Sequence, residues 1–282
     1  MAARLLESGH SLVVYNRTAH RARELERSGA LSVSTPREVA ERTDIVLGCL
    51  LDSGAVEDVY TGTAGLITSS RPGQIYVEHG TFAPELAMRI AQSLEQRGAA
   101  FLDAPVTGGP DAAASGQLTV MMGGSDAAVA HVAGIMSAYA SRVVHVGPAG
   151  AGLQLKLINQ LLVSCHVAAA AEAAAMLQRL NLPLGPASDA LNAGWAASAM
   201  LQRGLSRLRD QALGPSNVTI GGLVEPQRLV EQLAAEAGLS LTLMPVVSRM
   251  FQDACAEGMG GLDLAAMVGF VGSAATEPQS AD

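Results

Sequence analysis

Short apolar runs alternate with helix-like stretches of mixed apolar and polar residues over the first half of the chain. Six runs predict β-strands, at Ser11–Asn16, Asp44–Leu50, Gln74–Glu78, Ala100–Val106, Leu118–Met122 and Arg142–Val146. Four stretches predict helices, at Ala19–Ser28, Ser53–Tyr60, Pro84–Arg97 and Asp126–Tyr139. This alternation with short connections predicts an α/β domain in which helices cover both faces of a doubly wound, mainly parallel sheet.

The pattern changes after Gly147. No convincing strand follows Gly152, and helical periods are broken at Asn181–Pro183, Ala212–Pro215 and Gly221–Gly222. We therefore predict an α/β domain over residues 1–150 and an all-helical domain over residues 151–271. The Ser, Ala, Thr and Pro residues of 272–282 predict a disordered tail.

The first residues depart from the usual order of a doubly wound fold. Met1–Glu7 has a helical pattern with no capping residue ahead of it, and Ser8–His10 turns into the first predicted strand. Such a fold opens with a central strand and a glycine turn ahead of that helix. We therefore expect an incomplete first domain, whose sheet has an unpaired seam.

Composition excludes several classes of protein. The chain has 282 residues, 49% of them hydrophobic, and a net charge of −8 without a basic run, which argues against a nucleic-acid partner. Cys49, Cys165 and Cys255 are far apart, so we expect reduced thiols in a cytoplasmic protein. No signal peptide is visible, and the most apolar segment, Leu157–Leu177, is too polar for a membrane span. We find no pattern of metal ligands.

Lys156 is the only lysine, since the other 17 of the 18 Lys and Arg residues are arginine. Arginine keeps its proton in proteins, whereas a desolvated lysine can release it. Lys156 follows the glycine-rich turn Gly147–Gly152 and lies in a long apolar helical stretch. Asn159 and Gln160 share its helical face, so an amide there can hold a carbonyl oxygen that receives a proton from Lys156. The alternative is a lysine that reaches the surface from a packed helix.

Asn16, Arg17 and Thr18 end the first predicted strand. At this position of a dinucleotide-binding fold, a carboxylate binds the ribose of NAD and an arginine accommodates the 2′-phosphate of NADP. The segment has a cation and no carboxylate, which favours NADP, with NAD as the second choice. The alternative is an ordinary turn in which Thr18 caps the next helix.

A second glycine-containing segment, Thr107–Gly109, follows a predicted strand. The hydroxyl of Thr107 and the backbone N–H groups of Gly108 and Gly109 can bind an anion such as a carboxylate. The alternative is a simple glycine turn between two strands. Trp195 could line a pocket, although a lone tryptophan is more often a core residue, and Ser198 could cap a helix.

Taken in order, these segments resemble the β-hydroxyacid dehydrogenase family, part of the 6-phosphogluconate dehydrogenase superfamily and similar to 3-hydroxyisobutyrate dehydrogenase and tartronate semialdehyde reductase. The resemblance covers about residues 1–268. Its segments are Met1–His10, Val14–Thr18, Cys49–Asp52, Gly65–Leu66, Gly80–Thr81, Pro84–Glu85, Asp103–Gly109, Gly116–Leu118, Met122–Gly124 and Gly147–Asn159.

The resemblance implies a Rossmann-like NADP-binding domain and an all-α domain, joined by a long helix that carries the catalytic lysine. Lys156 would be the general acid or base, and Asn159 would orient the substrate oxygen. Thr107, Gly108 and Gly109 would bind the substrate carboxylate. The cofactor would be bordered by Asn16, Arg17, Thr18, Leu50, Leu51 and Thr81. A homodimer or homotetramer formed through the helical domain is also implied.

The implied activity is hydride transfer between nicotinamide and a small 3-hydroxy acid or its semialdehyde. Three departures from the family pattern leave alternatives open. The opening strand with its glycine-rich turn is absent, and Glu225-Pro226 stands in place of a Lys-Asp pair. Leu51 replaces a proline. A catalytically impaired binding or scaffold protein is the first alternative, and an imine reductase is the second.

Overall fold

The computed structural model of the chain describes residues 1–274, the last of them by its backbone alone. Residue contacts divide the chain into two compact units, Met1–Lys156 and Leu157–Asp282. The division falls inside one continuous helix, Ala151–Arg179. Each unit is therefore described by itself.

The first unit contains strands and helices in alternation. Strands β1 to β8 are Val13–Val14, Leu31–Ser32, Ile45–Gly48, Ile75–Glu78, Ala100–Asp103, Val106–Thr107, Leu118–Gly123 and Ala140–Gly147. Helices α1 to α7 are Ala2–Glu7, Arg23–Arg27, Pro36–Arg42, Ser53–Thr61, Pro84–Glu95, Gly109–Ser115 and Asp126–Met136. Short 3₁₀ turns cover Ala19–Ala22 and Leu66–Ser69.

The strands form two separate sheets. β1 pairs with β2 in parallel. The second sheet has six strands, in the order β3-β4-β5-β7-β6, with β8 also paired to β7. Its β3–β4, β4–β5 and β7–β8 pairs are parallel, whereas β7 runs antiparallel to β5 and to β6. The mainly parallel α/β class is confirmed. The expected seam is also present, because no described strand joins β1 to β3.

The six-stranded sheet has an apolar layer on each face. Side chains of a strand alternate between faces, and Leu47 and Val77 belong to one layer while Val46 and Tyr76 belong to the other. Helices α1 and α7 contribute to the first layer, and α3, α4 and α5 contribute to the second. This two-sided packing explains why the strands are continuous apolar runs rather than alternating ones.

Several predicted elements need correction. The predicted strand Ser11–Asn16 is reduced to β1, and the predicted strand Ala100–Val106 divides into β5 and β6 around Pro105, which has no N–H for a sheet hydrogen bond. The sequence interpretation missed β2, α3 and α6. The start of α3 carried a recognisable signal: Thr35 accepts a hydrogen bond from the Glu38 backbone N–H, as in a capping box.

The second unit is helical, as predicted. Between residues 157 and 274 the structure has no strand, only isolated bridges. Helices α8 to α13 are Ala151–Arg179, Leu184–Asn192, Ala199–Arg209, Val224–Glu236, Met244–Ala256 and Met267–Ala274. Short 3₁₀ turns cover Gly221–Leu223, Met259–Gly261 and Leu264–Ala266.

A buried carboxylate organises part of this helical unit. Asp263 is fully buried and accepts hydrogen bonds from Arg203 at 2.6 and 2.8 Å and from Arg207 at 3.1 Å. Burial alone would raise the pKa of Asp263, but the hydrogen bonds from Arg203, the Ala265 N–H and Ser216, together with the Arg203 charge, outweigh burial and lower the pKa to about 2. Both arginines lie on α10, so this carboxylate ties that helix to the segment before α13.

Two expectations concern the long helix and the tail. By length and composition alone α8 is long and apolar enough to cross a membrane, a test that the core helix of a water-soluble protein also passes. Of its most apolar window 44% is buried, so the interpretation of this segment as a buried helix stays a prediction. The predicted disordered tail is wrong for residues 272–274, which belong to α13, and residues 275–282 lie outside the described part.

Candidate functional site

The residues expected to border the cofactor follow the carboxyl ends of three strands. Asn16, Arg17 and Thr18 come after β1, Leu50 and Leu51 after β3, and Thr81 after β4. β3 and β4 are parallel neighbours, so Leu50 and Thr81 lie at the same edge of their sheet. In open α/β sheets, ligands bind at this carboxyl edge.

The turn after β1 is held by its own side chain. The Asn16 Oδ1 accepts a hydrogen bond from the Thr18 N–H at 2.9 Å. Thr18 precedes the 3₁₀ turn, but its hydroxyl makes no capping hydrogen bond. The capping alternative for Thr18 is therefore wrong. Arg17 is exposed at the tip of this turn.

Glu78 connects the ends of β3 and β4, a role that the sequence interpretation missed. Its Oε1 accepts hydrogen bonds from the backbone N–H groups of Leu50 and Gly80, each at 2.9 Å, and Tyr60 donates to Oε2 at 3.4 Å. Burial raises the pKa of Glu78 to about 7, although these hydrogen bonds lower it. Gly48 is required beside it, since a Cβ there would overlap Oε2. A carboxylate at the end of the apolar run Ile75–Glu78 was the available signal.

Asp103 has a similar position at the end of β5. Its carboxylate accepts hydrogen bonds from the backbone N–H groups of Gly150 at 2.7 Å and Leu153 at 2.8 Å. Burial raises its pKa to about 6 against the effect of these hydrogen bonds. A Cβ on Gly152 would lie 2.6 Å from the Met121 carbonyl oxygen, so only glycine lets the helix approach the sheet so closely. Asp103 thus fixes the first turn of α8 against β5 and β7.

Lys156 lies one helical turn after Gly152 and is only 7% exposed. Burial lowers its pKa from 10.5 to about 8. Helical side chains lean towards the preceding turn, which for Lys156 is the turn that Gly152 brings close to β7. The alternative of a lysine exposed at the surface is wrong. Asn159, half-buried, lies three residues further on the same helical face.

Thr107 is connected to the same strand. It pairs with Thr119 on β7, two residues before Met121. Gly108 then caps α6 with φ 125°, and Gly109 begins the helix. The interpretation as a turn between two strands is therefore wrong, because a helix follows. The Thr107–Gly109 segment, through Thr107, and the first turn of α8, through Gly152, therefore both contact β7.

Three other residues that the sequence analysis singled out, Trp195, Ser198 and Glu225, lie in the helical unit. Trp195 is fully exposed, at 107% of its reference area, and is neither a core residue nor part of a described pocket. Ser198 caps α10, as expected, by accepting from the Leu201 N–H at 3.0 Å. Glu225 forms an ion pair with Arg228 at 2.7 Å in the first turn of α11.

Among residues 1–274, no cluster of three or more His, Cys, Asp and Glu side chains could hold a metal ion.

Family models match both parts of the chain. Residues 1–147 match the NAD-binding domain of 6-phosphogluconate dehydrogenase. Residues 150–271 match a domain described as the NAD-binding part of NADP-dependent 3-hydroxyisobutyrate dehydrogenase. Together the two matches include most of the chain.

Individual proteins give the same result. An uncharacterized oxidoreductase of Synechocystis is 32% identical over 84% of this chain and 82% of its own length. The 2-(hydroxymethyl)glutarate dehydrogenase of Eubacterium barkeri is 25% identical over 95% of this chain and 89% of its own. A crystal structure of 3-hydroxyisobutyrate dehydrogenase from Salmonella typhimurium, 29% identical, superposes with a TM-score of 0.86 over 95% of this chain and 94% of that one.

Proposed function

The chain belongs to the β-hydroxyacid dehydrogenase family, and on that premise we propose that it uses NADP(H) to interconvert a small 3-hydroxy acid and its semialdehyde. An NAD(P)-dependent hydroxyacid dehydrogenase activity follows from the family itself. The cofactor preference, the substrate class and the residue roles are our proposal. The observation that carries it is the burial of the only lysine, Lys156, with a pKa lowered to about 8.

Lys156 moves the proton in this proposal. When a semialdehyde is reduced, its carbonyl carbon accepts a hydride and the Lys156 ammonium gives a proton to the oxygen, which becomes the hydroxyl. Oxidation is the reverse, with the neutral amine as base. A group whose pKa is near the working pH serves in both directions, and the pKa of about 8 meets that condition.

The neighbouring residues bind and orient the substrate. Asn159, on the same helical face as Lys156, holds the reacting oxygen through its amide. Thr107 and the backbone N–H groups at Gly108 and Gly109 bind the carboxylate. The start of α6 supports this assignment, because backbone N–H groups at a helix start favour negative charge.

The strand ends fit a dinucleotide. Arg17 supplies the cation for a 2′-phosphate, with Asn16 and Thr18 beside it. Leu50, Leu51 and Thr81 border the cofactor, and the hydrogen bonds of Glu78 hold the Leu50 and Gly80 backbones in place. The nicotinamide supplies or accepts the hydride when bound.

The experiment is NADPH oxidation by the purified full chain over a panel of semialdehydes and ketoacids. We expect turnover with small carboxylate-bearing semialdehydes, and its loss in Lys156→Arg, because arginine keeps its proton. NADPH affinity of Lys156→Arg should stay within a few-fold. Unchanged turnover in this variant would remove Lys156 from the proton step.

The two alternatives give distinct results. NADPH binding without turnover of any carbonyl would favour the scaffold protein. Turnover that requires an added amine would favour imine reduction. Arg27→Met, which changes an exposed residue outside the proposed site, serves as the matched control for both reactions.

Self-association is also proposed, through the helical unit. Large apolar side chains are exposed along α8 and after it, and exposed apolar surface of this kind occurs where proteins bind one another. These side chains are Ile158, Leu162, Met176, Leu180, Leu182 and Trp195. We expect a homodimer or homotetramer by light scattering, and a smaller species when Met176 and Leu180 are replaced by aspartate.

A cytoplasmic location is the last part of the proposal. The three cysteines Cys49, Cys165 and Cys255 are free thiols, as the sequence led us to expect. Free thiols are typical of a reducing compartment, and we propose that the protein acts in the cytoplasm. Localisation of a fluorescent fusion tests this.

A further inference from the structure

The helix that carries Lys156 begins without a capping side chain of its own. The segment 147–153, which leads into α8 and includes its first residues, contains only Gly, Pro, Ala and Leu. Helix starts prefer Ser, Thr, Asp or Asn, because the first backbone N–H groups have no partner within the helix. The start of α8 therefore depends on an acceptor from elsewhere in the chain.

Asp103 supplies that acceptor from the end of β5. Its Oδ1 accepts a hydrogen bond from the Gly150 N–H at 2.7 Å, and its Oδ2 accepts one from the Leu153 N–H at 2.8 Å. Gly150 immediately precedes α8, and Leu153 is the third residue of the helix. One carboxylate thus makes both hydrogen bonds that a capping box divides between two side chains. Its negative charge also lies at the positive end of the helix dipole.

Lys156 lies one turn further along the same helix. It follows Leu153 by three residues, so the two share one side of α8. The Lys156 side chain leans towards that first turn, whose position Asp103 fixes. A displacement of a reacting group by about 1 Å can lower turnover about 100-fold. The hydrogen bonds of Asp103 therefore bear on the proton transfer.

A proton on Asp103 would break this arrangement. Each carboxylate oxygen accepts from one N–H, so a proton on either oxygen meets a donor, and the remaining hydrogen bond loses its charge assistance. A Cβ on Gly123 would lie 2.5 Å from Oδ1, and one on Gly152 would lie 2.9 Å from Oδ2. Because backbone packs this closely against both oxygens, a protonated carboxyl group has little space to turn away.

We propose, on the basis of the dehydrogenase function proposed above, that Asp103 is a positioning residue for Lys156: its carboxylate holds the first turn of α8, and its protonation loosens that turn and slows proton transfer. Reduction then needs the Lys156 ammonium and the Asp103 carboxylate together. Loss of the Lys156 proton limits turnover at high pH. At low pH the ammonium is present, so a loss of turnover there requires a second group.

The direction of the pH dependence separates this role from unfolding. Burial raises the pKa of Asp103 from 3.8 to about 6, so kcat for reduction should fall about tenfold per pH unit below pH 6. The folded chain binds this proton more tightly than the unfolded chain. The contribution of Asp103 to the free energy of unfolding therefore rises as the pH falls from about 6 towards 3.8. Turnover and this stability contribution change in opposite directions.

Two other buried titratable side chains lie on the strand and the helix next to Asp103. Glu78 is its register partner on β4, but the Glu78 carboxylate binds backbone at the ends of β3 and β4 and the Tyr60 hydroxyl of α4. Lys156 is the second, on α8. The buried face of α5 is apolar, and β7 has no titratable side chain. Glu78 is therefore the group that the test must distinguish from Asp103.

The test follows the full chain by kinetics and by NMR. The backbone amide signals of Gly150 and Leu153 and the ¹³Cε signal of Lys156 should shift with a midpoint near pH 6, shared by the acid limb of kcat. In Asp103→Asn, whose side chain can accept only one of the two N–H bonds, these shifts and the acid limb should be absent. Its kcat at pH 7 should be about 100-fold lower. Asp253→Asn, the same change at an exposed position of α12, is the matched control.

Three results would overturn the proposal. The first is amide signals of Gly150 and Leu153 that do not change between about pH 5 and 7.5. The second is Asp103→Asn with the kcat and acid limb of the wild type. The third is an acid limb that disappears in Glu78→Gln, which would assign it to Glu78.

Two of these readouts do not depend on Asp103→Asn, so a variant that fails to fold leaves the wild-type titration and Glu78→Gln to decide. Absence of turnover in the wild type would refute the proposed function alone. The NMR signals would still show whether Asp103 controls the position of Lys156, since a Lys156 signal without a step near pH 6 would exclude that control.

Discussion

The lowered pKa of Lys156 has a consequence for stability that can be measured without a substrate. A buried ammonium destabilises the fold, so replacing it with the uncharged, similarly long methionine should stabilise the protein. Lys156→Met is therefore expected to raise the free energy of unfolding at pH 7 while it removes turnover. Active-site groups that cost stability in this way are common.

The magnitude follows from the pKa. The difference between 10.5 and about 8 is 2.5 units, and at about 1.4 kcal/mol per unit it corresponds to roughly 3 kcal/mol. The folded pKa lies below the unfolded one, so the unfolded chain binds more protons between pH 8 and 10.5. The free energy of unfolding of the wild type therefore rises with pH through this range. The difference in free energy of unfolding between Lys156→Met and the wild type should approach zero above pH 10.5.

Two assays measure this. Because Lys156 is the only lysine, ¹³Cε-lysine labelling gives one side-chain signal, whose titration should have its midpoint near pH 8. Urea unfolding of both proteins at several pH values gives the stability difference. All the tyrosines, Tyr15, Tyr60, Tyr76 and Tyr139, lie in the unit with Lys156, whereas the single tryptophan, Trp195, lies in the other unit. The tyrosine bands of the near-UV circular dichroism spectrum, rather than the tryptophan band, therefore report on the unit with Lys156.

The control replaces an exposed cation of the same unit, as Arg27→Met, and should show no such pH dependence. An NMR midpoint above pH 10 would refute the reasoning from burial. So would a Lys156→Met variant that is less stable than wild type at pH 7, since the packing lost would then exceed the charge penalty.

Three further predictions address other parts of the molecule. Arg17→Ala should weaken NADPH binding roughly 10- to 100-fold and NADH binding much less, because the charge-assisted contact between Arg17 and the 2′-phosphate of NADPH is lost. Equal losses of affinity for both cofactors in a fluorescence titration would show that Arg17 does not bind the 2′-phosphate. Gly48→Ala should destabilise by about 1–3 kcal/mol through overlap with Glu78. Gly54→Ala, whose Cβ would make only an ordinary contact of 3.5 Å with Asp52, should be tolerated in thermal unfolding. Asp263→Asn should lower the free energy of unfolding by about 3–5 kcal/mol at pH 7. Because the pKa of Asp263 in the folded protein is lowered from 3.8 to about 2, the stabilisation by its carboxylate should be lost as the pH falls from about 4 through 2. A difference in urea unfolding between the two proteins that does not change with pH would contradict this.

The sequence by itself determined the fold class and the position of the candidate chemistry. Apolar runs and helical periods are local signals. Each of the six predicted strand segments overlaps a strand of the structure, and the change to an all-helical pattern was also located. The single lysine stood out because every other cation is arginine. Strands of two residues, such as β2, have too few positions to show a period.

Only the tertiary structure decided what depends on contacts between distant residues. Glu78 and Asp103 were visible as carboxylates, but their backbone partners Leu50 and Gly150 lie 28 and 47 residues away in sequence. The pKa of Lys156 likewise depends on desolvation by residues that pack around it. Periodicity reports which face of an element is apolar, whereas burial and hydrogen bonding between distant residues arise only when those faces meet.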